Sequence, residues 1–185
     1  MKKIIIILSL ILVFTLSSCS DVYSERILSD AEQYEDMWEL SERRVYHEYP
    51  QVSLLFPQSI NEEQCIDFLC KHTTYQIVGT GWQVLLNIKY NVDEFANEVK
   101  RLSDLCADSP VCGLTEYFDL PAYASVWNWA CCYEYAIVDE EEKTISYVYL
   151  QLINKDYLCL EDAYVPNGYD QQMEGSEFTV YSVPH

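Results

Sequence analysis

The chain has 185 residues, with 30 acidic residues against 11 basic ones and a formal net charge of −19. An excess of negative charge this large repels phosphate backbones and anionic lipid headgroups, which excludes nucleic acid as a partner and leaves basic peptides, divalent cations and neutral glycans. Sixteen tyrosines and four tryptophans exclude disorder for most of the chain.

The first residues have the composition of a secretory signal. Lys2 and Lys3 precede an apolar and hydroxyl run of thirteen residues over 4–16, and Ser17, Ser18 and Cys19 follow at once. A helix of that length spans only about 20 Å, which is short of the roughly 30 Å hydrocarbon core of a bilayer. The run therefore predicts a cleaved signal rather than a membrane span.

The quartet Leu16-Ser17-Ser18-Cys19 resembles the lipobox of bacterial lipoproteins, in which an aliphatic residue and two small residues precede an invariant cysteine. The resemblance implies diacylglyceryl transfer to Cys19, removal of residues 1–18, and a mature chain that is lipid-anchored at the extracytoplasmic face of the cell membrane. Removal of 18 of the 185 residues leaves 167, which suits a single domain over residues 19–185. Residues 1–18 hold two lysines and no acid, so the mature chain has 9 basic and 30 acidic residues and a net charge of −21.

The segment over residues 22–47 predicts one long amphipathic helix. Its apolar residues recur at helical spacing, at Ile27, Ala31, Tyr34, Trp38 and Val45. A sheet-containing core is expected over residues 51–185.

Residues 62–73 fit two structures. The run from Asn61 to Gln64 has the pattern of a helix capping box, whereas apolar side chains alternate strictly from Ile66 to His72, as in a half-buried strand. Further along, alternation over residues 82–90 predicts a strand, and Asn91 followed by an acidic first turn predicts a helix after it.

Two long strands are predicted over residues 122–138 and 144–153. The acidic turn at 139–142 joins them into an antiparallel hairpin. The predicted fold is therefore α+β, with a long N-terminal amphipathic helix, an antiparallel sheet with one further packed helix, and a C-terminal β-hairpin.

The strand predicted over residues 122–138 carries the candidate ligand-binding side chains. Aromatic residues occupy its odd-numbered positions, and the partner strand is expected to add two more rings on the same side; the set is Trp127, Trp129, Tyr133, Tyr135, Tyr147 and Tyr149. If a helix covers this side, the rings are core; if the side is open, it is a platform for a glycan or a peptide. Glu134 is either a perturbed functional carboxylate or an exposed residue, and the exposed position is the expectation.

The cysteine count is odd once Cys19 is lipidated, because seven others remain. At least one thiol is then free or paired with another chain. Cys106 and Cys112 flank a Ser-Pro turn and form the candidate disulfide. Cys70 and His72 share one side of a strand while Cys65 points away, so neither a metal nor another cofactor is predicted.

No catalytic residue is predicted. The chain lacks Gly-x-Ser-x-Gly, a P-loop and His-Glu-x-x-His, and its three histidines stand outside any recognisable motif. The sequence therefore favours a non-catalytic binding or structural module with a peptide, glycan or protein partner. The alternative is a lipoprotein hydrolase or a thiol-dependent enzyme.

The middle of the chain is also similar to uncharacterised small lipoproteins of clostridial-type Gram-positive bacteria. The likeness is carried by Leu54 to Pro57, by Asn91 to Phe95 with Glu98 and Arg101, and by the Cys-Tyr-Glu-Tyr-Ala run from Cys132 to Ala136. It implies no activity.

Overall fold

An antiparallel sheet organises the residues that the computed structural model describes, which are 22–37, 55–75, 79–107, 117–129, 132–151, 153 and 157–169. Within these ranges the sheet has six strands, in the order β1-β2-β3-β6-β5-β4. The strands are β1 (Val22–Leu28), β2 (Cys65–Tyr75), β3 (Gly79–Lys89), β4 (Ala122–Trp129), β5 (Cys132–Asp139) and β6 (Thr144–Gln151). Helix α1 (Val92–Leu105) connects β3 towards β4.

The predictions for the centre of the chain are confirmed. Strand β3 and helix α1 lie where alternation and the Asn91 cap place them, and β5 and β6 form the hairpin around the acidic turn. Residues 62–73 follow the strand alternative from Cys65 onwards, because Asn61 caps only a 3₁₀ turn, Glu62–Gln64, and β2 begins directly after it. The coarse fold class, α+β with an antiparallel sheet, is thereby confirmed.

Helix α1 begins with a complete capping box. The side-chain oxygen of Asn91 accepts hydrogen bonds from the backbone N–H groups of Asp93, at 3.1 Å, and Glu94, at 2.9 Å, and the Glu94 carboxylate accepts from the Asn91 N–H at 3.4 Å. These bonds satisfy donors that the first helical turn leaves without partners. Phe95 and Leu102 then fall on one side of the helix and are buried against the sheet.

The long N-terminal helix is wrong for the described part of residues 22–47. Val22–Leu28 is strand β1, paired antiparallel with β2 at the edge of the sheet. Residues 24–27 of β1 are exposed, including Ile27 at 51%, and Leu28 is buried at 3% exposure. The first helical turn begins after Asp30, which caps the 3₁₀ turn Ala31–Gln33. A turn of α-helix follows over residues 34–37. Residues 38–47 lie outside the described ranges.

The single strand expected over residues 122–138 is also wrong. The chain reverses between Trp129 and Cys132, which are paired across β4 and β5. The segment is therefore two adjacent antiparallel strands, and β4 forms the second edge of the sheet. The register shifts beyond Ala124 and again beyond Val126, so this pair is irregular near the reversal.

Both sides of the sheet are covered. The helix face packs against α1 and the segment around Tyr34 and Leu55, with a core that includes Val84, Leu86, Ile88, Ala136, Val138, Ile145 and Tyr147. The loop face packs against segments 117–118 and 158–169, with a core that includes Leu85, Tyr133, Tyr135, Ile137, Val148 and Leu150. Burial on two sides explains why β5 and β6 are buried almost continuously rather than at alternate residues.

Polar side chains of β3 hold the irregular C-terminal segment on the loop face. Gln83 is fully buried, donates from Nε2 to the Tyr157 carbonyl at 2.9 Å and accepts from the Cys159 N–H at 2.7 Å. Asn87 donates from Nδ2 to the Tyr164 hydroxyl at 3.2 Å. The covering segment is thus attached by specific hydrogen bonds as well as by apolar contact.

Candidate functional site

The candidate aromatic residues are divided between the two sides of the sheet. Tyr133 and Tyr135 lie in the loop-face core, whereas Tyr147 and Tyr149 lie in the helix-face core. The expectation that all these rings share one side is wrong, because Tyr135 is paired with Val148 and Tyr147 with Ala136. All four tyrosines are at most 6% exposed, which fits the core alternative. The backbones of Trp127 and Trp129 belong to β4, and their side chains lie outside the part of the chain that the structure describes.

A polar network connects α1 to the helix face. The Glu98 carboxylate accepts hydrogen bonds from the Tyr147 hydroxyl at 2.5 Å and from Arg101 Nε at 2.8 Å. The hydroxyls of Tyr90 and Tyr147 form a hydrogen bond of 2.8 Å. Burial, more than any neighbouring group, raises the pKa of Tyr90 to about 12 and raises the pKa of Tyr147 strongly. Hydrogen bonding to Glu98 raises the pKa of Arg101. The network is internally satisfied, which is the behaviour of a structural element.

Glu134 is fully buried, which corrects the expectation of an exposed residue. Its carboxylate accepts hydrogen bonds from the Ser125 hydroxyl and from the Leu55 N–H, the latter at 3.3 Å. The Leu55 carbonyl in turn accepts from Arg101 at 2.5 Å. One backbone residue therefore links the buried carboxylate to the network on α1. A buried carboxylate needs such donors to offset its lost hydration.

The end of the helix face beyond Glu134 is lined by polar and aromatic side chains. The rings of His72 and Trp82 lie 4.3 Å apart, and the Tyr149 hydroxyl donates to Gln151 Oε1 at 2.8 Å. Nε1 of Trp82 is buried and makes no hydrogen bond with the described residues. The described residues hold no group of three potential metal ligands here or elsewhere.

The cysteines divide by burial. Cys70 is 1% exposed, and burial raises the pKa of its thiol to about 12. Burial also raises the pKa of Cys65. Cys159 is exposed and lies 3.3 Å from Nζ of Lys71. Cys70 and Cys65 are therefore poor nucleophiles, because the thiolate is the reactive form.

Of the two cysteines of the candidate disulfide, one lies within the residues that the structure describes. Cys106 is the C-terminal cap of α1 and is buried, whereas Cys112 lies outside the described ranges. The pairing of Cys106 with Cys112 stays a prediction.

A pocket with a volume of about 220 Å³ opens on the loop face, at the end of the sheet where β4 begins and β5 ends. Phe118, Ile137 and Val165 supply apolar walls, and the polar side chains that line it are Asp119, Asp162 and Asn167 together with Tyr117. Asp119 and Asp162 are exposed, so their carboxylates reach solvent at the rim. We name this the loop-face pocket.

The two sides of the loop-face pocket are held together by backbone and side-chain bonds. The Asn167 N–H donates to the Tyr117 carbonyl at 2.9 Å, which joins the segment before β4 to the C-terminal segment. Tyr135 lies behind both: its ring is 5.0 Å from that of Phe118, and its hydroxyl donates to the Tyr164 carbonyl at 2.6 Å. The walls of the pocket are therefore connected to each other and to β5 by hydrogen bonds and ring contact.

Sequence patterns did not indicate the loop-face pocket. Its lining comes from the loop before β4 and from the irregular segment around the Asp162–Tyr164 3₁₀ turn, where no helical or strand period applies. The only local signal was the Asn167-Gly168 pair, which does form a turn, with Gly168 at φ 76°.

No protein-family model matches the chain, and no match was found among curated proteins or solved structures. Among the described residues no helix has the length and apolar character needed to cross a membrane.

Proposed function

We propose that this chain is a lipid-anchored, non-catalytic binding module at the extracytoplasmic face of the cell membrane. The observation that carries the binding role is the loop-face pocket, whose walls are connected by hydrogen bonds and which contains no cysteine, histidine, serine or lysine among its described lining residues. Its two aspartates are exposed, whereas catalytic carboxylates are commonly desolvated. The site is thus equipped to hold a group rather than to activate one.

The lipobox at Leu16 to Cys19 supports the anchored location. Strand β1 begins at Val22, only three residues after Cys19. Three extended residues reach at most about 11 Å, so a lipid on Cys19 would hold the sheet close to the bilayer surface. Two acyl chains on one cysteine would make this attachment durable.

Fractionation of a bacterial host that expresses the full chain tests this proposal. The wild-type chain is expected in the membrane fraction, and the Cys19→Ala variant is expected to be lost from that fraction. The matched control is Cys159→Ala, which removes an exposed thiol from the folded domain and should remain in the membrane fraction. A Cys19→Ala chain that stays in the membrane fraction to the same extent as wild type would contradict the anchor.

A further inference from the structure

We infer that the loop-face pocket binds the long basic side chain of a lysine or an arginine from a partner polypeptide. The inference deepens the proposed function and rests on it, since it names the class of ligand for that site. It follows from the size of the pocket, from the chemistry of its lining and from the charge of the whole chain.

The size of the pocket indicates a side chain rather than a larger ligand. Its volume of about 220 Å³ lies below the roughly 300 to 1,000 Å³ of pockets that enclose drug-sized molecules. It exceeds the roughly 150 Å³ of an engineered cavity that accepts benzene. A group of a few methylenes with a polar end is therefore of the right size.

The lining matches a side chain that is apolar along its stem and positive at its tip. Phe118, Ile137 and Val165 offer apolar surface to methylene groups, while Asp119 and Asp162 offer carboxylates at the exposed rim. Lysine and arginine bury their stems in this way and keep the charged head in water. No basic residue is among the described residues that line the pocket, so neither carboxylate is neutralised from within its lining.

The charge of the whole chain favours a basic polypeptide over a free amine. With 30 acidic and 11 basic residues, the protein attracts positively charged partners over distances longer than one contact. Exposed ion pairs are individually weak, so a lone amine gains little in a half-open site. Leu120, which also lines the pocket, is 38% exposed and offers apolar contact to the residues that flank a bound side chain.

Methyl NMR on the full chain in detergent micelles tests the inference directly, with isotope labels in isoleucine and valine. The probe is the peptide acetyl-Ala-Ala-Lys-Ala-Ala-amide, and the matched probes replace its lysine by arginine, norleucine or acetyl-lysine. Butylamine is the free-amine probe. We expect the lysine and arginine peptides to shift the methyl resonances of Ile137 and Val165 saturably. The norleucine and acetyl-lysine peptides should bind at least about three-fold more weakly, which is the loss expected for one exposed ion pair.

Two variants test the carboxylates with the same readout. Asp119→Asn and Asp162→Asn should each weaken binding of the lysine peptide about three-fold. Added salt should also weaken binding of the lysine peptide to the wild-type protein. The control is Glu35→Gln, which removes an equal charge from an exposed residue on the helix face and should change the affinity little. The comparison of probe peptides uses only the wild-type protein, so it remains valid if one of the variants folds poorly.

Three results would overturn the inference. Equal binding of the norleucine peptide would mean an apolar ligand, equal binding of butylamine would mean a free amine, and unmoved Ile137 and Val165 methyls would mean that the pocket does not hold this group. None of these results alters the Cys19-dependent membrane association, so failure of this inference is distinguishable from failure of the proposed anchor.

Discussion

The hydroxyl of Tyr135 donates to the backbone carbonyl of Tyr164 at 2.6 Å, and this bond joins strand β5 to the C-terminal wall of the loop-face pocket. Tyr135 is fully buried, and burial, more than its tyrosine neighbours, raises its pKa well above the ordinary value. Its hydroxyl therefore stays protonated and able to donate even at the pH, near 10, where an ordinary tyrosine ionises. A residue that the sequence suggested as a ligand-binding ring thus supports the pocket from behind.

Tyr135→Phe should lower stability while it keeps the ring packed. The substitution leaves the Tyr164 carbonyl without this donor, which costs about 1 to 2 kcal/mol. A loss of that size lowers the melting temperature of a domain this long by about 2 to 8 °C. Tyr157→Phe is the control, because Tyr157 is 52% exposed. Equal melting temperatures for Tyr135→Phe and the wild type would show that the bond contributes nothing.

Ser125 and Glu134 should be energetically coupled. Ser125→Ala removes a buried donor to the carboxylate, and Glu134→Met removes the acceptor while it keeps a side chain of similar length. Each single change is expected to cost about 1 to 3 kcal/mol. Urea unfolding of both single variants and the double variant should give a coupling energy of about 1 kcal/mol or more. Strict additivity would contradict a direct interaction.

Local patterns were sufficient where a cap or a run of apolar residues marks the element. Helix α1 was predictable from the Asn91 capping box, and strand β3 from the apolar residues that alternate between Trp82 and Ile88, although the residues between them are buried as well. The edge strand β1 was not predictable in this way. Its short apolar set also fits a helix, and the contact that decides its structure is pairing with β2, about forty residues later.

The register between β5 and β6 and the chain reversal between β4 and β5 were also not predictable from the sequence. Asp139 pairs with Thr144 across a loop of four residues, so odd-numbered residues of β5 oppose even-numbered residues of β6, and Tyr147 falls on the side opposite Tyr135. The reversal after Trp129 has no glycine, proline or asparagine between it and Cys132, so no turn signal divides β4 from β5.

Stability should fall at alkaline pH partly through Tyr90. An unfolded tyrosine ionises near pH 10, whereas the folded environment raises the pKa of Tyr90 to about 12. Between these pH values the unfolded chain has released more protons than the folded chain, so the unfolding free energy decreases as pH rises. Below pH 10 both states are protonated and the group contributes no pH dependence.

Tyr90→Phe should therefore reduce the loss of stability between pH 10 and 12, as measured by urea unfolding at each pH. Tyr157→Phe again serves as the control, since its side chain is half exposed. A Tyr90→Phe variant whose stability decreases as steeply as that of the wild type would contradict the assignment.

The thiols should react in the order of their exposure. Maleimide labelling of the folded full chain is expected to modify Cys159 quickly, because this cysteine is exposed. Cys70 should react only after denaturation, because it is buried and its pKa is raised to about 12. Peptide mapping identifies the labelled sites. Fast labelling of Cys70 in the folded protein would instead favour the thiol-enzyme alternative.

Mass spectrometry of the mature N-terminus tests the proposed anchored module most directly. The protein is recovered from the membrane fraction and digested, and its first peptide is analysed. We predict that the chain begins at Cys19 and that this cysteine carries a diacylglyceryl group, with residues 1–18 removed. An uncleaved chain with an unmodified Cys19 would contradict it.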